Sequence, residues 1–185
     1  MMDSMAAAPA PLWIFAYGSL MWRPGFPYAE RERATLAGHH RALCIWSHHW
    51  RGTAAVPGLV FGLDRGGACT GVAYRIAPED SDAVLGAVRE RELVTDVYLE
   101  TLAPAVLADG RTVEAVAYLA DPAHAQYAGR LSRDAILRAV TAATGVAGPN
   151  RAYVLNTQAH LADLGVEDPE LTALCAALAP AGADS

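Results

Sequence analysis

The sequence predicts an α+β fold with a largely antiparallel sheet or open barrel. Apolar, β-forming runs occupy most of the chain up to about residue 119, and a single helical pattern interrupts them. Helical patterns then occupy the C-terminal third. Strands that precede helices, rather than alternating with them, favour α+β over a parallel α/β sheet. The helices are expected to cover the mouth or an edge of the barrel.

The first predicted strand covers residues 13–15, an apolar run that ends at a turn over residues 17–20. Gly18 in this turn permits a positive φ, and consecutive N–H groups there can converge on an anion. An ordinary turn after a core strand is the plainer interpretation. Residues 30–33 are charged and predicted to be exposed, so the next strand is expected to begin at about Arg41.

The middle of the chain is predicted to contain a short hairpin. Residues 48–58 mix polar, aromatic and glycine residues and are predicted to be irregular. Two β-forming runs follow, at residues 59–64 and 69–76, and the glycine-containing segment 65–68 lies between them. Two strands joined by a short glycine-containing loop are typical of a hairpin.

Helical patterns and one strong hairpin signal account for the remainder. Residues 78–91 are predicted to be helical, because proline suits a first turn and apolar residues recur near helical spacing. Asp109-Gly110 joins two β-rich segments, at 94–108 and 112–119, and is a strong signal for a tight hairpin. Ser132 is a predicted N-cap. The predicted C-terminal helices cover residues 132–145, 150–164 and 169–178.

Composition predicts one domain over residues 12–179, with a disordered start at 1–11 and a tail at 180–185. The chain has 185 residues, of which 53% are hydrophobic and 18% charged. The net charge of −6 argues against a nucleic-acid partner, which usually requires a basic patch. No apolar run approaches the roughly 18 residues of a membrane span. Three cysteines without CxxC spacing favour a cytoplasmic location.

The charged run at residues 89–92 is the most suggestive chemical feature, because it ends a predicted helix. One glutamate could turn inward as a general base, although most charge runs are solvated. Position alone does not choose between Glu90 and Glu92. Ser19 lacks the pattern that surrounds a nucleophilic serine. Adjacent histidines on a strand point to opposite faces, so no metal site is expected from the two His-His pairs.

Six short motifs follow one another along residues 13–174. They are Tyr17-Gly18-Ser19-Leu20 with Trp22 and Pro24-Gly25, Arg51-Gly52-Thr53 with Pro57-Gly58, Gly71-Val72-Ala73-Tyr74, Arg91-Glu92 six residues before Tyr98, Tyr127-x-Gly129, and Asn150-x-x-Tyr153. Each motif is short, but the ordered series resembles the ChaC-like γ-glutamylcyclotransferases. The resemblance implies a small mixed, largely antiparallel β-barrel with flanking helices.

The resemblance also implies a reaction, the cleavage of glutathione into 5-oxoproline and cysteinylglycine without a metal or organic cofactor. The γ-glutamyl α-amine attacks its own side-chain carbonyl, and a carboxylate moves the protons. By the family's spacing, Glu92 is the catalytic general acid and base and Glu90 is a surface charge. The implied substrate-binding residues are Ala16, Tyr17, Gly18, Ser19, Leu20, Met21, Arg51, Tyr98 and Tyr127.

The chain departs from the family pattern at two places. Ala16 stands where glycine is usual, and residues 95–97 replace a glycine-rich approach to Tyr98. Asp96 would raise the pKa of the proposed base if it faced inward. Two alternatives stay open: a cyclotransferase for other γ-glutamyl amines or dipeptides, and a non-catalytic module that binds a γ-glutamyl metabolite. The second requires the carboxylate to be missing or misplaced.

Overall fold

A closed barrel of five strands forms the centre of the computed structural model, which describes residues 10–179. The strands are β1 (Leu12–Ala16), β2 (Glu30–Ser47), β3 (Gly58–Ile76), β4 (Tyr98–Leu107) and β5 (Thr112–Ala120). Their order around the barrel is β1-β3-β2-β4-β5. β5 pairs in parallel with β1 and β3, whereas the other pairs are antiparallel. The predicted α+β class is confirmed, and the barrel is closed rather than open because β5 reaches β1.

Helices flank the barrel at the places that the sequence predicts. They are α1 (Ser81–Glu92), α2 (Arg133–Ala142), α3 (Asn150–Asp163) and α4 (Pro169–Leu178), with a two-stranded sheet of β6 (Thr144–Gly145) and β7 (Gly148–Pro149) between α2 and α3. Ser132 is the N-cap of α2, and its Oγ accepts a hydrogen bond from the N–H of Ala135 at 3.2 Å. Among the described residues, no helix has the length and apolar character needed to cross a membrane.

The start of β2 corrects the first sequence prediction. β2 begins at Glu30, so the charged residues 30–33 lie within a strand that pairs with β3 and does not start near Arg41. Side-chain charge does not prevent backbone pairing here, because a cross-strand ion pair stabilises the outer face. The carboxylate of Glu30 accepts a hydrogen bond from Nε of Arg75 at 2.8 Å.

The predicted hairpin at residues 65–68 is also wrong. β3 continues through this segment, and β2 and β3 form one long hairpin whose loop is residues 48–57. Gly66 and Gly67 have φ values of 98° and 66°, beside a register shift in the β2–β3 pairing. These glycines form a bulge, which has the composition of a turn but does not reverse the chain.

The hairpin predicted at Asp109-Gly110 is confirmed. Gly110 has a φ of 91°, and β4 pairs with β5 along its length. The predicted disordered start at residues 1–11 lies outside the described residues, apart from residues 10 and 11, which have no regular secondary structure. The predicted tail at 180–185 also lies outside them.

Asn150, at the start of α3, attaches the C-terminal helices to the barrel. Its side chain is fully buried. Its Nδ2 donates to the carbonyl oxygen of Leu59 at 2.7 Å, and its Oδ1 accepts from the N–H of Leu59 at 2.7 Å. The amide thus satisfies both backbone groups of a buried residue in β3.

Replacing Asn150 with alanine is expected to destabilise the protein, because both backbone groups of Leu59 lose their partner. The expected loss is roughly 2–4 kcal/mol in the free energy of unfolding, measured by urea denaturation. The matched control is Asn156→Ala on the exposed face of the same helix, where a change below about 0.5 kcal/mol is expected. Equal effects of the two substitutions would contradict the anchoring role of Asn150.

Candidate active site

A cavity of about 90 Å³ lies at the C-terminal end of β1. The cavity is bounded by the loop after β1, the end of α1, strands β3 to β5 and the first turn of α3. Its lining residues are Phe15, Tyr17, Gly18, Ser19, Leu20, Phe61, Glu92, Tyr98, Tyr118 and Tyr153. One carboxylate, several tyrosines and a stretch of backbone therefore surround a small cavity.

The segment after β1, called here the 17–21 loop, forms one wall of the cavity. Its last residues, Ser19–Met21, make a single 3-10 turn, in which the N–H of Met21 donates to the carbonyl oxygen of Gly18 at 2.9 Å. The N–H groups of Gly18, Ser19 and Leu20 donate to no acceptor among the described residues. Consecutive N–H groups of this kind are suitable donors for an anion.

Gly18 does not use the positive φ that glycine permits, because its φ is −130°. A Cβ at Gly18 would meet no described atom within 4 Å. The absence of a side chain therefore leaves space beside the loop backbone into which a ligand can approach.

Helical geometry turns Glu92 toward the cavity. Glu92 is the last residue of α1 and lies four positions after Val88, which in turn follows Val84 by four. Both valines are buried, so Glu92 continues the buried face of the helix. Its side chain is 18% exposed, whereas Glu90 lies on the exposed face. The spacing of the buried residues thus distinguishes the two glutamates.

Burial raises the pKa of the Glu92 carboxyl, and the positive charge of Arg91 partly opposes that effect. The Nε of Arg91 is 3.7 Å from Oε1 of Glu92. Asp96, which would have added a negative charge had it faced inward, is exposed and has a φ of 53°. The environment of Glu92 is therefore that of a desolvated carboxyl with one cationic neighbour.

Arg91 also connects the end of α1 to the 17–21 loop. Its Nη2 donates to Oγ of Ser19 at 2.6 Å, and its Nη1 donates to the carbonyl oxygen of Arg23 at 2.8 Å. The residue beside the buried carboxyl thus binds both the loop and the segment that follows it. The hydroxyl oxygen of Ser19 accepts the hydrogen bond from Arg91.

Tyrosine hydroxyls line the opposite side of the cavity. Tyr98 donates to the carbonyl oxygen of Phe61 at 2.9 Å, whereas the hydroxyl of Tyr153 accepts from the N–H of Phe61 at 3.1 Å. Tyr118 donates to Oε2 of Glu100 at 2.9 Å. Burial raises the pKa of Tyr153 to about 12 and raises the pKa of Tyr98 further. These hydroxyls are therefore neutral at physiological pH.

The structure brings together most of the residues assigned to substrate binding by resemblance. Tyr17, Gly18, Ser19, Leu20 and Tyr98 share the cavity with the proposed base. Ala16, the last residue of β1, and Met21, the last residue of the loop, are buried in the core and do not line the cavity.

Arg51 and Tyr127, two further assigned residues, also lie outside the cavity wall. The Nη1 of Arg51 donates to the carbonyl oxygen of Ala147 at 2.7 Å, and its guanidinium lies 5.1 Å from the ring centre of Tyr153. Arg51 therefore contacts the cavity residue Tyr153 without lining the cavity itself. The hydroxyl of Tyr127 donates to Oδ1 of Asp64 at 2.8 Å.

Four cavity residues were not predicted as site residues. Tyr153 belongs to the Asn150-x-x-Tyr153 motif, so the family resemblance could have assigned it to the site. Phe15 was predicted only as part of a buried strand. Phe61 and Tyr118 carry no motif, and Tyr118 reaches the cavity through its place in β5, opposite Glu100 of β4. Only the register of the two strands reveals that position.

Two larger cavities, of about 460 and 500 Å³, lie beside α4. Both are lined by Arg41 and Asp168, which form an ion pair at 2.7 Å. The first of them shares Phe61 with the smaller cavity. Between residues 10 and 179, no group of three or more His, Cys, Asp or Glu side chains is arranged to hold a metal ion.

Comparison with known proteins agrees with the fold and the motif series. Residues 12–180 match the family described as ChaC-like protein. The glutathione-specific γ-glutamylcyclotransferase of Escherichia coli (strain K12) is 40% identical over 164 residues, which cover 89% of this chain and 71% of that protein. The γ-glutamylcyclotransferase 2-3 of Arabidopsis thaliana is 33% identical, with 88% and 86% covered.

A solved structure shares the fold. The crystal structure of a γ-glutamyl cyclotransferase specific to glutathione from yeast superposes with a TM-score of 0.80 at 20% sequence identity. The superposition covers 91% of this chain and 95% of the yeast chain. The predicted barrel with flanking helices is thereby confirmed as the architecture of this structural group.

Proposed function

Since the chain belongs to the ChaC-like family, we propose that it is a γ-glutamylcyclotransferase that cleaves glutathione into 5-oxoproline and cysteinylglycine, with Glu92 as general acid and base. One observation supports this most directly. The largely buried carboxyl of Glu92 and the loop N–H groups that have no acceptor between residues 10 and 179 line the same cavity. A proton acceptor and an anion-binding wall are what an intramolecular aminolysis of a γ-glutamyl amide requires.

Binding comes first in this mechanism. The N–H groups of Gly18, Ser19 and Leu20 hold the α-carboxylate of the γ-glutamyl group. A volume of about 90 Å³ is smaller than the roughly 300 Å³ at which ligand pockets begin, so the γ-glutamyl end enters and the dipeptide extends outward. Holding this end folded places the α-amine near its own γ-carbonyl carbon, and such orientation lowers the barrier by several kcal/mol.

Proton transfer follows. An α-ammonium group titrates near ~8 and is not nucleophilic until it loses a proton. The carboxylate of Glu92 accepts that proton, and the amine then forms the C–N bond that closes the five-membered ring. As the intermediate collapses and the original amide bond breaks, Glu92 gives its proton to the cysteinyl nitrogen. The ring nitrogen, which still carries two hydrogens, loses one of them to Glu92, and this second proton passes to the released cysteinyl amine. Water is neither consumed nor released. Each molecule of glutathione gives one molecule of each product, so 5-oxoproline and cysteinylglycine appear in equal amounts.

Tyr153 supplies a neutral hydrogen-bond donor for the negative charge that develops on the γ-carbonyl oxygen when the amine attacks. The hydroxyl oxygen of Tyr153 accepts from Phe61, which leaves its own hydrogen without an acceptor among the described residues. Because the pKa of Tyr153 is raised to about 12, that hydrogen stays in place at neutral pH. A neutral donor that faces the cavity stabilises developing charge on the carbonyl oxygen.

The activity is expected to decline at acidic pH earlier than it would with an exposed glutamate. Glu92 must be ionised to accept a proton, and burial raises its pKa above the usual 4.5. The value of kcat/KM should therefore fall as the pH drops through this raised pKa. Steady-state rates from about pH 4 to pH 9 measure the acidic side of the pH profile of kcat/KM. An apparent pKa at or below 4.5 for this acidic decline would contradict the assignment of Glu92. The control variant Glu90→Gln should leave the pH profile unchanged.

Substrate identity is tested by a panel of γ-glutamyl compounds. Purified protein is incubated with glutathione, with γ-glutamyl dipeptides and with an α-linked glutamyl dipeptide as control, and 5-oxoproline is quantified by mass spectrometry. The proposal predicts release from glutathione and none from the α-linked peptide. Release from the other γ-glutamyl compounds alone would change the substrate but keep the mechanism. Binding without release would favour the non-catalytic module.

We also propose a cytoplasmic location. All three cysteines of the chain fall within the described residues and are free thiols, as expected in a reducing compartment. Burial raises the pKa of Cys44 to about 12 and that of Cys69 to about 11, so both thiols are unreactive. The net charge of −6 is consistent with a small-molecule partner rather than a nucleic acid.

A further inference from the structure

Arg41 of β2 is a buried cation with three partners. Its side chain is 2% exposed. Its Nε donates to the carbonyl oxygen of Tyr17 at 2.7 Å, its Nη1 to Oδ2 of Asp168 at 2.7 Å, and its Nη2 to the carbonyl oxygen of Thr70 at 2.8 Å. One guanidinium thus joins the 17–21 loop, strand β3 and the start of α4. No family motif in the chain includes Arg41.

The contact with Tyr17 determines the direction of the next donor in the loop. The carbonyl of Tyr17 and the N–H of Gly18 belong to one planar peptide, which is trans like the other described peptide bonds. In a trans peptide these two groups point in opposite directions. Because Arg41 holds the oxygen from one side, the N–H of Gly18 is directed to the other side. That N–H is one of the three groups without an acceptor among the described residues.

We propose that Arg41 is a positioning residue that orients the Tyr17–Gly18 peptide for substrate binding. This inference rests on the proposed function, in which the N–H of Gly18 binds the α-carboxylate. Arg41 itself does not line the small cavity, so it acts through the loop backbone.

Asp168 determines where the guanidinium lies. Its Oδ1 accepts from the N–H of Leu171 at 3.0 Å and caps α4, while its Oδ2 accepts from Arg41. The start of α4 is therefore connected to the 17–21 loop through the ion pair between Asp168 and Arg41. A planar guanidinium can make these three bonds at once in a fixed geometry, whereas a lysine ammonium cannot reproduce the fork.

The test compares Arg41→Lys with two other variants by steady-state kinetics with glutathione. Because the loop N–H groups bind the substrate carboxylate in the ground state and transition state alike, Arg41→Lys is expected to raise KM about tenfold and to change kcat less than about threefold. Asp168→Asn keeps an oxygen that can cap α4 but loses the charge, and a smaller rise in KM is expected. Arg75→Lys, which alters the ion pair with Glu30 outside the cavity, should leave both constants unchanged.

Hydrogen exchange gives a readout that does not depend on turnover. In Arg41→Lys the loop amide of Met21, which donates to the carbonyl oxygen of Gly18 in the wild type, should exchange faster, while the barrel strands keep their protection. Unchanged KM and unchanged loop exchange in folded Arg41→Lys would overturn the inference; if that variant does not fold, unchanged values in Asp168→Asn would do so. A wild-type protein that does not cleave glutathione would overturn the proposed function instead, and loop exchange would still decide the role of Arg41.

Discussion

Replacing Glu92 with glutamine is expected to lower kcat for glutathione cleavage by about a thousandfold. The amide has nearly the shape of the carboxyl group but cannot accept the proton of the α-ammonium. Glutamine fills the same volume as glutamate, and the side chain faces the cavity and is 18% exposed, so the variant is expected to fold. The measurement is the rate of 5-oxoproline formation by purified, folded Glu92→Gln.

The same variant is expected to be more stable than the wild type at neutral pH. Burial raises the pKa of Glu92 in the folded state above the usual 4.5. Between 4.5 and the raised value, the folded state binds more protons than the unfolded state, so stability falls as the pH rises through this window. Glutamine carries no charge and does not incur this cost. Urea denaturation at about pH 4 and pH 7 should show a gain at the higher pH alone.

Glu90→Gln is the matched control for both measurements. Glu90 belongs to the same helix but lies on its exposed face. Its replacement should leave kcat and stability close to the wild-type values. A folded Glu92→Gln protein with normal turnover would refute the assigned base. Lost activity together with gained stability is the pattern expected of a residue retained for chemistry rather than for folding.

Gly71→Ala is expected to destabilise the protein by roughly 3 kcal/mol. Gly71 lies in β3 where that strand passes the end of β1. A Cβ at this position would overlap the carbonyl oxygen of Ala16 and lie 3.0 Å from Cζ of Phe15. A backbone oxygen within a barrel cannot move aside as a flexible side chain can, so β1 would have to shift. The 17–21 loop follows directly, and KM should rise as well.

The control is the same substitution in a different environment. Gly86 lies within α1, and a Cβ there would meet no described atom within 4 Å. Gly86→Ala should therefore stabilise the helix by about 0.5–1 kcal/mol. Urea denaturation of the two variants should give shifts of opposite sign. A Gly71→Ala protein within about 0.5 kcal/mol of the wild type would contradict the tight contact between β1 and β3.

The sequence predicted correctly those turns and helix ends that depend on interactions between neighbouring residues. The turn at Asp109-Gly110 and the N-cap at Ser132 act within a few residues, so the sequence shows them directly. The long β2–β3 hairpin was misjudged because its deciding interactions are not local. Glu30 pairs with Arg75, 45 residues later, and the bulge at residues 66–67 has the composition of a turn.

The site divides in the same way. The resemblance assigned Glu92, and its spacing from Val84 and Val88 gives a physical reason for that choice. The 17–21 loop was found as a glycine-containing turn after a buried strand. Arg41 could not be found from the sequence, because its partner Asp168 is 127 residues away and only the closed barrel with its helical cover brings them together.

Cleavage of glutathione in H₂¹⁸O is the most direct test of intramolecular attack by the α-amine. The purified protein is incubated with glutathione in labelled water, and the products are analysed by mass spectrometry. The mechanism predicts equal amounts of 5-oxoproline and cysteinylglycine, both without ¹⁸O from the reaction, and almost no product with Glu92→Gln. Glutamate that carries ¹⁸O would show that water attacks the γ-carbonyl, and would contradict the mechanism.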